Sequence, residues 1–187
     1  KPYKTNHPIN PINIYGKTKA KGEEFLIKNK NEFNDFFIIR TSWVISNFGD
    51  NFLLKILRML NDKKIIRVVN DQIGCTTNVN SLAKFCWDLI YLDKVKNSIP
   101  NILHFCDSGI CSWFDVANAI SEFSIEKKIL KESCEIIPVS TDFYKTMAKR
   151  PSFSLLDCEE TFEIIGYRTP HWRKSINSLL DLLITNL

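Results

Sequence analysis

Glycine is scarce, at 6 in 187 residues, and the six are dispersed along the chain. The strand, tight glycine turn and helix N-terminus that cradle a dinucleotide's pyrophosphate are therefore absent from this stretch of sequence. The three histidines lie far apart, and the six cysteines (Cys75, Cys86, Cys106, Cys111, Cys134 and Cys158) include no Cys-x-x-Cys pair. That excludes the usual zinc templates and predicts no metal and no disulfide framework. Thiols scattered in this way suggest a reducing, cytoplasmic setting. No apolar run approaches the roughly 18 residues of a bilayer-spanning helix, so no membrane partner is expected. The polar, proline-rich opening does not read as a secretory leader. Charge of one sign is also missing. Lys and Arg total 25 against 21 Asp and Glu, a net +4, and Lys17, Lys19 and Lys21 run straight into Glu23 and Glu24. Without a basic stripe, a nucleic-acid partner is not expected.

What is present is core material: 44% hydrophobic and 12% aromatic residues, enough for a folded domain and against disorder. Residues 1–14 carry Pro2, Pro8 and Pro11 and read as loop. The chain opens on Lys1 rather than Met, and we read it as a piece of a longer protein. Helical spacing follows from Tyr15 to about Lys30, then a run from Phe36 to Ile45 that predicts one strand buried on both faces. Asn51 can cap a helix over Phe52 to Leu60; Ile65 to Val69 reads as a strand, and 70–77 as a polar loop. A helix opened by Asn78 or Asn80, a strand at Ile102 to Phe105 and a helix capped by Ser112 come next. An extended segment at Ile136 to Val139, an irregular stretch over 140–153 and two closing helices near 158–165 and 171–186 complete the pattern. Alternating strands and helices predict an α/β fold with a largely parallel sheet.

Tyr15 and Lys19 stand four apart at the start of the first helix, hence on one face. An ammonium beside a phenol favours the phenolate, and a phenol so tuned can pass a proton to or from a carbinol oxygen. The pair alone is weak, since random placement gives about half a match per chain of this make-up. Arg40-Thr41-Ser42-Trp43 closes the first strand, where open α/β folds bind ligands. Trp43 suits either a core aromatic or the wall of a sugar site. Arg150 offers a fork of donors suited to phosphate, or is a surface arginine before a proline. Asp71 and Gln72 are divided between ordering a loop and touching substrate.

Pro11-Ile12-Asn13-Ile14-Tyr15-Gly16-Lys17-Thr18-Lys19 with Gly22-Glu23 resembles the active-site helix of extended short-chain dehydrogenases/reductases. More narrowly, Arg40-Thr41-Ser42-Trp43-Val44, Asn51-Phe52, Asp71-Gln72-Ile73-Gly74-Cys75-Thr76-Thr77 and Arg150-Pro151 resemble the dTDP-4-dehydrorhamnose reductase family, as do Leu155-Leu156-Asp157 and Pro170-His171-Trp172-Arg173. The resemblance implies the C-terminal part of a Rossmann-like doubly wound parallel sheet plus a smaller α/β substrate-binding lobe. Residues 1–75 would complete the NAD(P)-binding domain with its active-site helix. Residues 76–187 would form mainly the nucleotide-sugar-binding lobe, some elements returning to the sheet. It implies reduction of the C4 keto group of dTDP-4-dehydro-L-rhamnose with NADPH or NADH, Tyr15 as the acid and Lys19 as its partner and ribose ligand. Thr41 and Ser42 would pass the nicotinamide; Trp43, Asn51 and Arg150 would meet the substrate. A monomer or homodimer is expected.

Two departures stand out. Cys75 occupies the place of a proline in the family's loop, and Asn80 stands where dimeric members have a magnesium-binding glutamate, which puts metal-bridged pairing in doubt. Two other readings remain. One is a reductase or epimerase of another nucleotide 4-keto sugar, although Ser42-Trp43-Val44-Ile45-Ser46 departs from the Asn-x-Tyr-Gly-Pro of epimerases. The other is a non-catalytic regulatory subunit like that of methionine adenosyltransferase, which the Asp71-Gln72 loop fits less well.

Overall fold

A computed structural model describes residues 1–33, 36–93, 99–144 and 148–185. The chain order is α1 (Ile14–Lys28), β1 (Ile38–Arg40), β2 (Val44–Ile45), α2 (Phe52–Asp62), β3 (Ile65–Val69), β4 (Ile73–Gly74), β5 (Thr77–Asn78) and α3 (Val79–Asp93). It continues with β6 (Ile102–His104), β7 (Cys111–Ser112), α4 (Trp113–Glu126), β8 (Glu135–Val139), α5 (Glu159–Ile165) and α6 (Trp172–Thr185). This is the α/β alternation expected. Among the described residues the strands form four separate two-stranded pairs. Three are parallel, β1 with β6, β2 with β5 and β3 with β8, and β4 with β7 is antiparallel.

Local chemistry sets most of the boundaries. Asn51 caps α2, its Oδ1 accepting from the Leu53 and Leu54 amides at 3.1 and 3.5 Å. Ser112 and Asp115 close a capping box on α4: the Asp115 amide donates to Ser112 Oγ at 3.1 Å, and the Ser112 amide to Asp115 Oδ2 at 2.7 Å. α5 ends at Gly166, whose φ of 79° is the left-handed cap glycine adopts without strain. α6 buries Trp172, Ser175, Ile176, Leu179 and Leu180, the stripe of an amphipathic helix facing a core.

The single buried strand expected from Phe36 to Ile45 is two strands. Trp43 breaks it with φ of 44°, and Val44 is exposed. A bulky residue in the left-handed region costs on the order of 1–2 kcal/mol, so something must hold it there. The polar loop expected over 70–77 likewise contains β4 and the first residue of β5.

The main core joins α2, β3, α4 and α6 through residues such as Leu53, Ile66, Ile120 and Ile176. A smaller cluster seals α3 onto β6, where Phe85 stacks on Phe105 with ring centroids 4.4 Å apart. α1 has no buried residue, and Ile14, Phe25 and Ile27 on it are exposed. Among the described residues no helix is long and apolar enough to cross a membrane.

Candidate active site

Asn13 begins the site. Its Oδ1 accepts from the Gly16 amide at 2.8 Å, capping α1, while its Nδ2 donates to the Lys149 carbonyl at 2.9 Å. The first turn of α1, carrying Tyr15, is thereby tied to the segment carrying Arg150. Tyr15 is 71% exposed, and Lys19 Nζ lies 5.5 Å from its ring centroid. The i, i+4 pair is thus formed on an open helix face, phenol and ammonium both reachable from solvent.

The far end of α1 is fixed by an ion pair. Arg40, last residue of β1, donates from Nε to Glu23 Oε1 at 2.9 Å and from Nη2 to Oε2 at 2.6 Å, a two-point fork. Its Nη1 also donates to the Thr5 carbonyl at 3.0 Å. Arg40 therefore orients the helix against the strand end.

Beyond Arg40 a hydroxyl network joins two loops. Thr41 Oγ1 donates to Thr77 Oγ1 at 2.7 Å, Thr77 Oγ1 donates to the Ser42 carbonyl at 2.5 Å, and Ser42 Oγ donates to the Cys75 carbonyl at 2.7 Å. Thr41 and Ser42 both spend their hydroxyl protons on this lacing. The Trp43 indole then stacks on Trp113, centroids 3.9 Å apart and planes 15° from parallel, and Trp113 meets Phe52 at 4.3 Å. Asn51 uses both ends of its amide at the head of α2, its Nδ2 donating to the Ser46 and Phe48 carbonyls at 3.0 Å each.

Two clefts border this framework. One, of about 310 Å³, is lined by Phe52, Met59, Arg67, Gln72, Trp113 and Arg150, among others. The other, of about 320 Å³, is bordered by Tyr3, Asp71, Thr141, Lys149, Arg150 and Phe153. Arg150 and Thr141 belong to both. Asp71 accepts from Thr141 Oγ1 at 2.6 Å and from its amide at 2.9 Å, and these bonds hold its carboxyl below the usual range. Gln72 is buried and donates to the same Thr141 hydroxyl at 3.0 Å. Both side chains thus order the loop, and each also borders a cleft.

Sequence reasoning missed Trp113, Thr77 and Asp107. Trp113 reads only as the first residue of a capped helix, and Thr77 as part of a loop. Asp107 could have been noticed as a lone acid after the apolar Leu103–Cys106 stretch. It is 2% exposed, accepts from Thr76 Oγ1 at 2.8 Å, and has the Asn78 amide at 3.4 Å. Burial pushes its carboxyl up to about 6, against the hydrogen bond from Thr76. The six cysteines are free. Cys106 and Cys158 touch at 3.5 Å, and that contact and burial push the Cys158 thiol up, which leaves it a neutral packing group. Among the described residues no group of three or more His, Cys, Asp or Glu could hold a metal ion.

Comparison with known proteins places this arrangement. The family described as RmlD substrate binding domain matches residues 1–184. The chain belongs to that family. It is 37% identical over 181 residues to the spore coat polysaccharide biosynthesis protein SpsK of Bacillus subtilis, covering 96% of this chain and 58% of that protein. It is 31% identical over 178 residues to a dTDP-4-dehydrorhamnose reductase of Aggregatibacter actinomycetemcomitans, covering 95% and 60%. A crystal structure of dTDP-4-dehydrorhamnose reductase from Bacillus anthracis in complex with NADP superposes with a TM-score of 0.82 at 31% identity, covering 97% of this chain and 59% of that one. This RmlD-type chain thus spans under two thirds of the length of the relatives it matches.

Proposed function

We propose that this chain supplies the acid-base helix and the sugar-nucleotide lobe of an NAD(P)H-dependent reductase. The substrate is dTDP-4-dehydro-L-rhamnose, reduced at the C4 keto group to dTDP-L-rhamnose. The observation that carries the reading is the Tyr15–Lys19 pair on the open face of α1, its helix start tethered through Asn13 to the segment of Arg150. The family, and the reductase relatives at about 31% identity, support the substrate class.

The residues fit a nicotinamide cofactor. Lys19 presents an ammonium one helical turn from the Tyr15 hydroxyl, a pair able to hold ribose hydroxyls. When bound, the cofactor supplies the hydride for C4. Tyr15 donates the proton to the C4 oxygen, and Lys19 favours the phenolate left behind. Thr41 and Ser42 set the course of the strand end, since their hydroxyls are held by Thr77 and the Cys75 carbonyl. The 310 Å³ cleft takes the nucleotide, its aromatic rings Phe52 and Trp113 offering faces for a base and Arg67 and Arg150 offering charge for the diphosphate. Trp43 walls the sugar, and Asn51 acts by fixing α2 beneath it.

We further read residues 1–75 as completing the dinucleotide-binding domain and 76–187 as mainly the sugar-nucleotide lobe. The pairing of β1 with β6 supports a return of the second part to the first. The uncovered apolar residues of α1 support a dinucleotide-binding portion lying against it. The unpaired thiols support a cytoplasmic setting. The name of the Bacillus relative supports a role for the product in polysaccharide biosynthesis.

The test is NAD(P)H oxidation by the full-length protein given dTDP-4-dehydro-L-rhamnose, beside Tyr15→Phe. Wild type should turn over, and the variant should be slower by roughly 10²-fold or more, the scale of a lost general acid. Equal rates would remove Tyr15 from the mechanism. No oxidation by a folded protein that binds the cofactor would remove the substrate assignment.

A further inference from the structure

Trp43 is held where a bulky residue does not settle unaided. Its φ of 44° lies in the left-handed region, and it sits between the hydroxyl-laced residues 41–42 and the start of β2. Its indole is gripped from two sides. Gly74 lies against one part of the ring, so close that a Cβ there would stand 2.9 Å from indole carbons Cε2 and Cζ2. Trp113 covers a face at 3.9 Å, nearly parallel. Trp113 in turn leans on Phe52 and borders the 310 Å³ cleft, which Trp43 itself does not line. The Trp113 backbone is fixed independently, because it follows the Ser112 cap and its box with Asp115.

We propose that Trp113 is a positioning residue whose stacked indole keeps Trp43 in its left-handed conformation and so sets the sugar-facing wall of the site from the nucleotide cleft. The inference rests on the reductase reading for its effect on turnover. An offset or parallel aromatic stack depends on a flat ring as well as on filled volume. Leucine can fill space at 113 but cannot stack; phenylalanine can do both. A nucleotide occupying the cleft would lie along the other part of Trp113, which makes the indole a shared wall between the two halves of the ligand.

The experiment uses the full-length protein with Trp113→Leu, Trp113→Phe, Trp43→Ala and the double variant Trp43→Ala/Trp113→Leu. Stacked indoles couple their transitions, so the wild type should show an exciton couplet in circular dichroism that every one of these substitutions abolishes. In turnover, Trp113→Leu should lower kcat/KM by roughly 10²-fold, the scale of a misplaced wall. The affinity for dTDP alone, read by calorimetry, should change by less than about threefold, on the same view that only the sugar half is misplaced. Trp113→Phe should recover most of kcat/KM. In the Trp43→Ala background Trp113→Leu should add nothing, because residues acting through one another are not additive. Absence of the couplet in the wild type overturns the inference. So does Leu performing as well as Phe, a loss in kcat/KM matched by an equal loss of dTDP affinity, or independent losses in the double variant. The spectroscopic arm needs no turnover, so failure of the reductase reading and failure of this inference are told apart.

Discussion

Gly74 and Trp43 are packed so closely that a single methyl group at position 74 would meet the indole at 2.9 Å and Ser154 Oγ at 2.8 Å. Both distances are shorter than a Cβ tolerates, so one neighbour must move. The serine is a small side chain whose hydroxyl can rotate; the indole is clamped by Trp113. Gly74→Ala should therefore displace Trp43. We expect a loss of about 1–3 kcal/mol in chemical denaturation, the usual cost of overpacking. We also expect loss of the near-ultraviolet signal of the indole pair. Unchanged stability and an unchanged aromatic spectrum would show that the site has room to spare.

Asp107 predicts a pH dependence of the opposite sign to most carboxylates. Its folded pKa is raised by burial to about 6, so the folded state holds a proton that the unfolded chain has already released. The penalty is absent below the ordinary aspartate pKa, grows between there and pH 6, and is fully present above. The Cys75 and Cys106 thiols beside it are pushed up in turn by its charge, among other causes, and stay neutral. Asp107→Asn should then stabilise the protein by about 1–2 kcal/mol at pH 7.5, part of the gain being offset because the Thr76 hydroxyl loses its acceptor. The difference should shrink to nothing near pH 4. Paired urea titrations at the two pH values check it, and a variant less stable at pH 7.5 than the wild type would show that the carboxylate's bonds to Thr76 and the Asn78 amide outweigh its burial.

Much of this fold was legible because its signals are local. The Asn51 and Ser112 caps, the β3 run Ile65–Val69 and the α6 stripe each depend on residues within a turn or two of one another. The break at Trp43 was not, because the apolar run reads through it and the residues that hold it, Gly74 and Trp113, lie 31 and 70 positions away. The β4 strand hid for the same reason: its partner Cys111–Ser112 is remote, and Ile73-Gly74 alone shows no alternation. The Tyr15–Lys19 pair could be seen from spacing. Trp113, Thr77 and Asp107 could not be seen as site residues, since each acts only through a neighbour that folding brings to it.

The Asn13 side chain does two jobs that one substitution separates. Its Oδ1 caps α1 and its Nδ2 tethers Lys149. Asn13→Asp keeps the cap and loses the tether, whereas Asn13→Ala loses both. Helix capping by Asn or Asp is nearly equivalent and its loss costs about 1 kcal/mol. Asn13→Asp should hold its melting temperature while losing turnover, because the Tyr15 turn is no longer tied to the Arg150 segment. Asn13→Ala should lose both. Full turnover in Asn13→Asp would confine Asn13 to the helix alone.

The two ion pairs of α1 differ in burial and should differ in consequence. Glu24 and Lys28 meet at 2.7 Å with side chains 59% and 70% exposed, and Glu24→Gln should leave stability unchanged within error. Glu23 and Arg40 are 17% and 19% exposed and share a two-point fork. Removing one partner there leaves a guanidinium partly buried, and the Arg40 charge already helps burial hold His104 below the usual histidine range. Glu23→Gln should therefore cost about 1–3 kcal/mol, less than a fully buried pair because water still reaches it. His104 adds a signature. Its depressed pKa gives a stability that is complete above the unfolded histidine value and lost as pH falls below it, since only the unfolded chain readily takes the proton. Glu23→Gln takes an anion from beside Arg40 and should depress His104 further. The variant's deficit should then be larger at pH 5.5 than at pH 8 in parallel urea titrations. A deficit independent of pH would separate the ion pair from His104, and no deficit at either pH would reduce the fork to a surface contact.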